Sequence, residues 1–157
     1  MIEIETNNRQ TGLAVDASRL EAAVRAALED EPLAEARISL AVVDDPTIHA
    51  LNRRYLDHDE PTDVLSFVLE RDERSLEAEI VVSADTARRS ASRFGWSAAD
   101  ELLLYVVHGA LHAAGYDDRT PAQRAAMRGR ERACLARFGL EPPYDPVQRG
   151  DPRPDSV

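Results

Sequence analysis

The chain contains no lysine. All 19 of its basic residues are arginine, and against 29 acidic residues they leave a formal net charge of −10. That balance excludes a protein that coats nucleic acid nonspecifically, while leaving room for a local groove lined by arginine. A guanidinium makes bidentate contacts with phosphate, so a few well-placed arginines suffice for a small site. Cysteine is nearly absent too. The one cysteine, Cys134, excludes an internal disulfide and a cysteine-rich zinc site, and its helical surroundings assign it to the core. Long apolar runs are also missing: the longest, Leu102 to Val107, is far too short to span a bilayer. The start, Met1-Ile2-Glu3-Ile4-Glu5, lacks the basic residues and apolar stretch of a secretory signal, so a cytoplasmic protein with no membrane partner is expected.

What is present reads as a single domain over residues 1–141, followed by a proline-rich tail, 142–157, with little to bury and expected to be disordered. Ile2 to Glu5 alternates as a half-exposed strand does. Asp16 is placed to cap a helix whose face is Leu20, Ala23, Val24, Ala27 and Leu28. Arg37 to Val43 reads as a buried strand, and Asp44-Asp45-Pro46 opens a short helix to Tyr55. After a polar loop through Pro61, Val64 to Leu69 and Ala78 to Val82 read as antiparallel neighbours because their connection is short. Ser83 caps a helix closed by Gly95, Ser97 with Asp100 has the capping-box pattern for the next, and Thr120-Pro121-Ala122-Gln123 starts a last helix running to Gly139. The order βαβαββααα implies an α+β fold with a mixed four-stranded sheet and helices packed on it.

The chemistry gathers at His108-Gly109-Ala110-Leu111-His112-Ala113-Ala114-Gly115-Tyr116-Asp117-Asp118. Two of the four histidines lie here, four residues apart on an apolar helix, where both imidazoles project from one face and can reach one metal ion. Gly115 permits the positive φ of a helix C-cap, and the turn can swing Asp117 or Asp118 back over the pair. Two histidines and a carboxylate leave a position free for water, as catalytic rather than structural zinc sites do.

With these residues placed, the chain resembles the bacterial YbeY family of metal-dependent, single-strand-specific endoribonucleases that mature ribosomal RNA. The family's His-Gly-x-Leu-His-x-x-Gly-Tyr-Asp-His motif is matched from His108 through Asp117. Its other signature is matched by Leu51-Asn52, Tyr55 and Pro61-Thr62-Asp63-Val64-Leu65-Ser66-Phe67, and the likeness runs from about Arg37 to Gly139. The chain departs from the pattern at three places. Asp118 stands where the family has its last histidine, Leu56 where it has an arginine after the tyrosine, and Ala78-Glu79 where it has Gly-Asp.

The resemblance implies a zinc-dependent hydrolase acting on single-stranded RNA, in maturation of the 16S rRNA 3′ end and ribosome quality control, with the ribosome or small-subunit proteins as partners. One Zn2+ per chain would be held by His108, His112 and Asp118, with metal-activated water attacking, or assisting attack on, the phosphodiester. Asp117 and Asp63 are candidate bases or supporting partners, though each also reads as a cap of its own turn. Arg53 or Arg54 would stand in for the missing catalytic arginine, and Arg53, Arg54 and Arg119 would contact RNA. Two other classes compete. A metalloendopeptidase would carry a glutamate after the first histidine as general base, where this chain has Gly109. A non-catalytic ribosome-associated factor with a structural metal site is the other, kept open by Leu56 and Asp118.

Overall fold

The computed structural model describes residues 1–143, and among these the elements follow in the expected order. The tail expected from residue 142 onward lies outside the described residues from 144 on. β1 (Ile2–Asn8) alternates half-buried isoleucine with exposed glutamate. Asp16 accepts from the Arg19 backbone NH and starts α1 (Ala17–Leu28), which leads into β2 (Glu35–Val43). Asp44 caps α2 (Asp45–Leu56) in the same way, with Pro46 in its first turn, where the missing NH costs no hydrogen bond. β3 (Val64–Arg71) and β4 (Ser75–Ser83) form a hairpin whose turn is fixed by Asp72, its carboxylate accepting from the Arg74 and Ser75 backbone NH groups, each at 2.9 Å. Then come α3 (Ala84–Phe94), α4 (Ala98–Ala113) and α5 (Pro121–Ala136).

The strands order as β1-β2-β4-β3. β1, β2 and β4 run parallel while β3 pairs antiparallel with β4, so the sheet is mixed and β3 is an edge strand. Alternate residues feed opposite faces. Ile38 and Leu40 of β2 and Ala78, Ile80 and Val82 of β4 enter the main core with α1, α3, α4 and α5. On the other face Val43, Leu65 and Val81 meet Ile48 of α2 in a much smaller cluster. α4 is apolar nearly all round and is enclosed accordingly, every residue from Leu102 to Val107 being buried.

Two sequence expectations need correcting. α5 ends at Ala136, not Gly139: its last turn tightens to i→i−3 hydrogen bonds, and Gly139, at φ 72°, lets the Leu140 NH return to the Leu135 carbonyl at 3.1 Å. Ser97 caps α4, but Asp100 does not complete a capping box, because its carboxylate pairs instead with Arg19 of α1 at 2.7 Å. The box expected at Thr120 and Gln123 is complete.

Candidate metal centre

α4 lies close on the sheet because Gly109 has no side chain. A Cβ there would sit 2.7 Å from Ile80 Cγ2 and 2.9 Å from Val64 Cγ2, both on stiff β-branched residues. The Ser66 hydroxyl of β3 donates to the Gly109 carbonyl at 2.7 Å and fixes the height of the helix over the edge strand. His108 and His112 flank that contact one turn apart, with ring centroids 4.7 Å apart and planes at 73°.

The third member arrives through a built turn. Gly115, at φ 112°, reverses the chain as the Tyr116 NH bonds the Leu111 carbonyl at 3.0 Å. Asp117 then accepts from the Asp118 NH at 2.8 Å, and Arg124 of α5 donates to the Asp118 carbonyl at 3.2 Å. The loop is further stitched by Gln123, whose side chain accepts from the backbone NH groups of Arg119 and Thr120 at 3.1 and 3.0 Å. From the sheet side, Arg71 donates to the Ala113 carbonyl at 3.1 Å, placing a cation at the negative end of α4.

As a result Asp118 Oδ2 stands 3.5 Å from His112 Nε2 and 3.8 Å from His108 Nε2. One ligand atom from each of these three residues falls within 4.8 Å of the others. Tetrahedral donors about 2.0–2.1 Å from zinc are themselves roughly 3.3 Å apart, so small side-chain adjustments bring all three onto one ion. His112 Nε2 is buried and has no hydrogen-bond partner, a cost that a coordinated cation would remove. The donor set of imidazole and carboxylate suits a borderline divalent ion.

Burial works to lower the pKa of His108, but the Glu131 carboxylate, with Asp63 and Asp118 behind it, outweighs burial and holds the imidazole above its ordinary value. The His112 imidazole beside Asp118 holds that carboxyl below the usual range, against the effect of burial.

The family model described as endoribonuclease YbeY matches residues 4–139 of this chain. The chain belongs to the endoribonuclease YbeY family. Among curated relatives, the endoribonuclease YbeY of Moorella thermoacetica is 42% identical over 154 residues, a match covering 88% of this chain and 99% of that one. The endoribonuclease YbeY of Rhodopirellula baltica is 44% identical over 120 residues, 75% of this chain but only 62% of that longer one. A solution structure of a Thermotoga maritima protein matches with a TM-score of 0.52 at 23% identity, over 95% of this chain and 100% of that one, a likeness of fold alone.

Membership of the family and the packing of α4 together bear on the competing classes. A glutamate directly after His108 has nowhere to go, since even a methyl group at Gly109 meets Ile80 and Val64, so the helix cannot supply the general base of a zinc peptidase. The three donors found together would leave one position of a tetrahedral ion open, unlike a structural site.

The remaining sequence candidates lie as follows. Asp63 is buried at the start of β3, accepting from its neighbour Val64 NH at 2.8 Å and from the Thr62 hydroxyl at 3.2 Å, the strand-start cap that its position suggested. Asp117 holds the turn and pairs with the exposed Arg119 at 3.3 Å. Arg53 and Arg54 are exposed on α2, whose apolar residues pack on the sheet face opposite the main core, and the Arg54 guanidinium lies 5.3 Å from the Tyr55 ring centroid. Sequence reasoning missed Arg71, Arg124 and Glu131. No spacing rule links them to the histidines, because the tertiary packing of β3 and α5 brings them there.

Proposed function

We propose that this chain is a metal-dependent endoribonuclease that cleaves single-stranded RNA in the cytoplasm during rRNA maturation, with one zinc ion held by His108, His112 and Asp118. The observation that carries this reading is the convergence of two imidazole Nε2 atoms and one carboxylate, with the buried His112 Nε2 facing Asp118 at 3.5 Å and making no regular hydrogen bond. When bound, the ion supplies Lewis acidity for attack on a phosphodiester and for the charge that develops on its oxygens.

The protein's own residues do the rest. Asp117 keeps Asp118 in place by holding its NH, so its role is to position the third ligand. Arg71, Arg119 and Arg124 surround the loop that carries Asp118 and supply the positive rim that a phosphate needs in an otherwise acidic chain. Arg53, Arg54 and the exposed Tyr55 form a separate surface where a base can stack and the backbone be neutralised.

The test is cleavage of a single-stranded RNA and of casein, with and without chelator, alongside the zinc content of the parent protein and of Asp118→Ala. Chelator-sensitive RNA cleavage, no proteolysis and loss of zinc in the variant are expected. Cleavage of casein, or RNA cleavage at full rate after complete removal of metal, would overturn the reading.

A further inference from the structure

One contact at the centre is not accounted for by the three donors. Glu131, two turns along α5 from Gln123, is buried, and its Oε2 lies 2.5 Å from His108 Nδ1. We propose that Glu131 is the positioning residue of the metal centre: it fixes the tautomer and rotation of His108 so that Nε2 faces Asp118. This assignment rests on the metal reading above.

The two nitrogens of an imidazole are not equivalent. A neutral ring has one donor and one acceptor, so whichever nitrogen gives its hydrogen to a carboxylate leaves the other with a free lone pair. Here the division is set by geometry. Nδ1 meets Glu131, and Nε2 points into the cluster, 3.8 Å from Asp118. With Nδ1–H committed, Nε2 is the ligand atom. A carboxylate behind an imidazole also raises its basicity, which strengthens its bond to a cation.

A core ion pair kept for stability is the competing account, and it is weak. Burying two charges gains little over packed apolar side chains, so stability gives no reason to retain Glu131 among buried Met127, Cys134 and Leu135 on the same helix. The position of α5 gives one. Its first turn secures the Asp118 loop through Gln123 and Arg124, and Glu131 secures His108 on α4. One rigid helix therefore registers two ligands that come from different segments of chain.

Two variants separate orientation from packing. Glu131→Gln keeps an oxygen that can accept from Nδ1–H, whereas Glu131→Met fills similar space without an acceptor. Zinc affinity would be measured on the full chain by competition with a chromophoric chelator, together with Tm and with the 15N imidazole spectrum, which reports the tautomer of His108. Glu131→Met is expected to weaken zinc binding 10- to 100-fold and to lose the single Nδ1–H tautomer, with Glu131→Gln recovering part of both. Parent-like affinity in Glu131→Met, or losses in the two variants that follow Tm and not the presence of an acceptor, would overturn the assignment. A parent protein that takes up no zinc would instead sink the metal reading, a result distinguishable from failure of Glu131 alone.

Discussion

The face of the sheet turned toward α4 and the face turned toward α2 draw on the same strands but are finished differently. On the first, β2 and β4 pack into a core that extends through four helices, and the histidines stand at its margin on the most buried of them. On the second, Ile48 of α2 covers three buried sheet residues, Val43, Leu65 and Val81, while Tyr55 and Leu69 remain more than half exposed, with Phe67 of the edge strand edge-on to Tyr55 at 5.7 Å. The contrast matches two kinds of task. Ligand atoms must be held to within a fraction of an ångström, which requires tight packing and supporting hydrogen bonds. A surface for reversible contact with a flexible strand needs exposed aromatic and cationic groups more than rigidity.

The largest effect should come from breaking the α4 face at its chemistry. His112→Ala removes a nearly buried imidazole that is outside the apolar core clusters. It is expected to abolish bound zinc and RNA cleavage while the circular dichroism spectrum stays that of the parent. Retained stoichiometric zinc would mean that the ion is held elsewhere.

Next is the packing beneath the site. Gly109→Ala places a methyl group against Ile80 and Val64, and such overpacking costs about 1–3 kcal/mol. Urea unfolding should show that loss together with weaker zinc binding, because lifting α4 off the sheet moves both histidines. An alanine variant as stable as the parent would show that the face is less tightly filled than its close approaches imply.

The residues behind these effects differ in how far the sequence reveals them. The histidine pair, the hinge at Gly115 and the carboxylate after it were legible because helical periodicity and positive φ are local properties. The strands were legible for the same reason, since alternation and short connections decide the hairpin. Gly109 was legible only as a departure from the peptidase pattern. Its physical reason, the approach of Ile80 and Val64, is a contact between segments almost thirty residues or more apart. Glu131 left no signal at all, since nothing local to α5 says which of its many charged residues turns inward. Arg53 and Arg54 were read as lying near the reaction because they adjoin a signature stretch. The structure shows both exposed on α2, a helix whose apolar residues pack on the sheet face opposite the main core.

A smaller effect should come from the α2 face. Replacing Arg53, Arg54 and Tyr55 together by alanine removes exposed groups, so stability should change by no more than about 0.5 kcal/mol per site. Single-strand RNA binding should weaken, and the log-log salt dependence should flatten by about 0.7 for each phosphate that is no longer neutralised. Unchanged affinity and slope would assign RNA binding to the rim of Arg71, Arg119 and Arg124 on the other face, and so would break the division of tasks between the faces.

The smallest effect concerns how α2 is attached. Where α4 is held by packing, the first turn of α2 is held by polar contacts. The Asp45 carboxylate accepts from the Ser83 hydroxyl at 2.7 Å and the Thr86 hydroxyl at 2.8 Å, and it pairs with Arg89, while the Asp45 NH donates to Asp85 at 2.8 Å. Burial works to raise the pKa of Asp45, but the hydrogen bonds from Ser83, Arg89 and Thr86 outweigh it and hold the carboxyl below the usual value. A depressed folded value means that the latch stabilises the protein above the unfolded pKa of about 3.9 and is lost as the pH falls through the folded value. The Arg89 side of the pair is largely exposed, so solvent screens it and the pair contributes at most about 1 kcal/mol. Asp45→Asn should therefore be less stable than the parent at pH 7, and the gap should close as the pH is lowered below about 4. Zinc affinity should not change, because the partners of Asp45 are Ser83, Asp85, Thr86 and Arg89 and include none of the three ligand residues. Urea midpoints for the two proteins at pH 7 and pH 3 measure this directly. No gap at either pH would show that α2 is held by its apolar contacts, as α4 is, and that the two faces differ less than their polar groups suggest; a gap of the same size at both would show that the latch does not depend on the charge of Asp45.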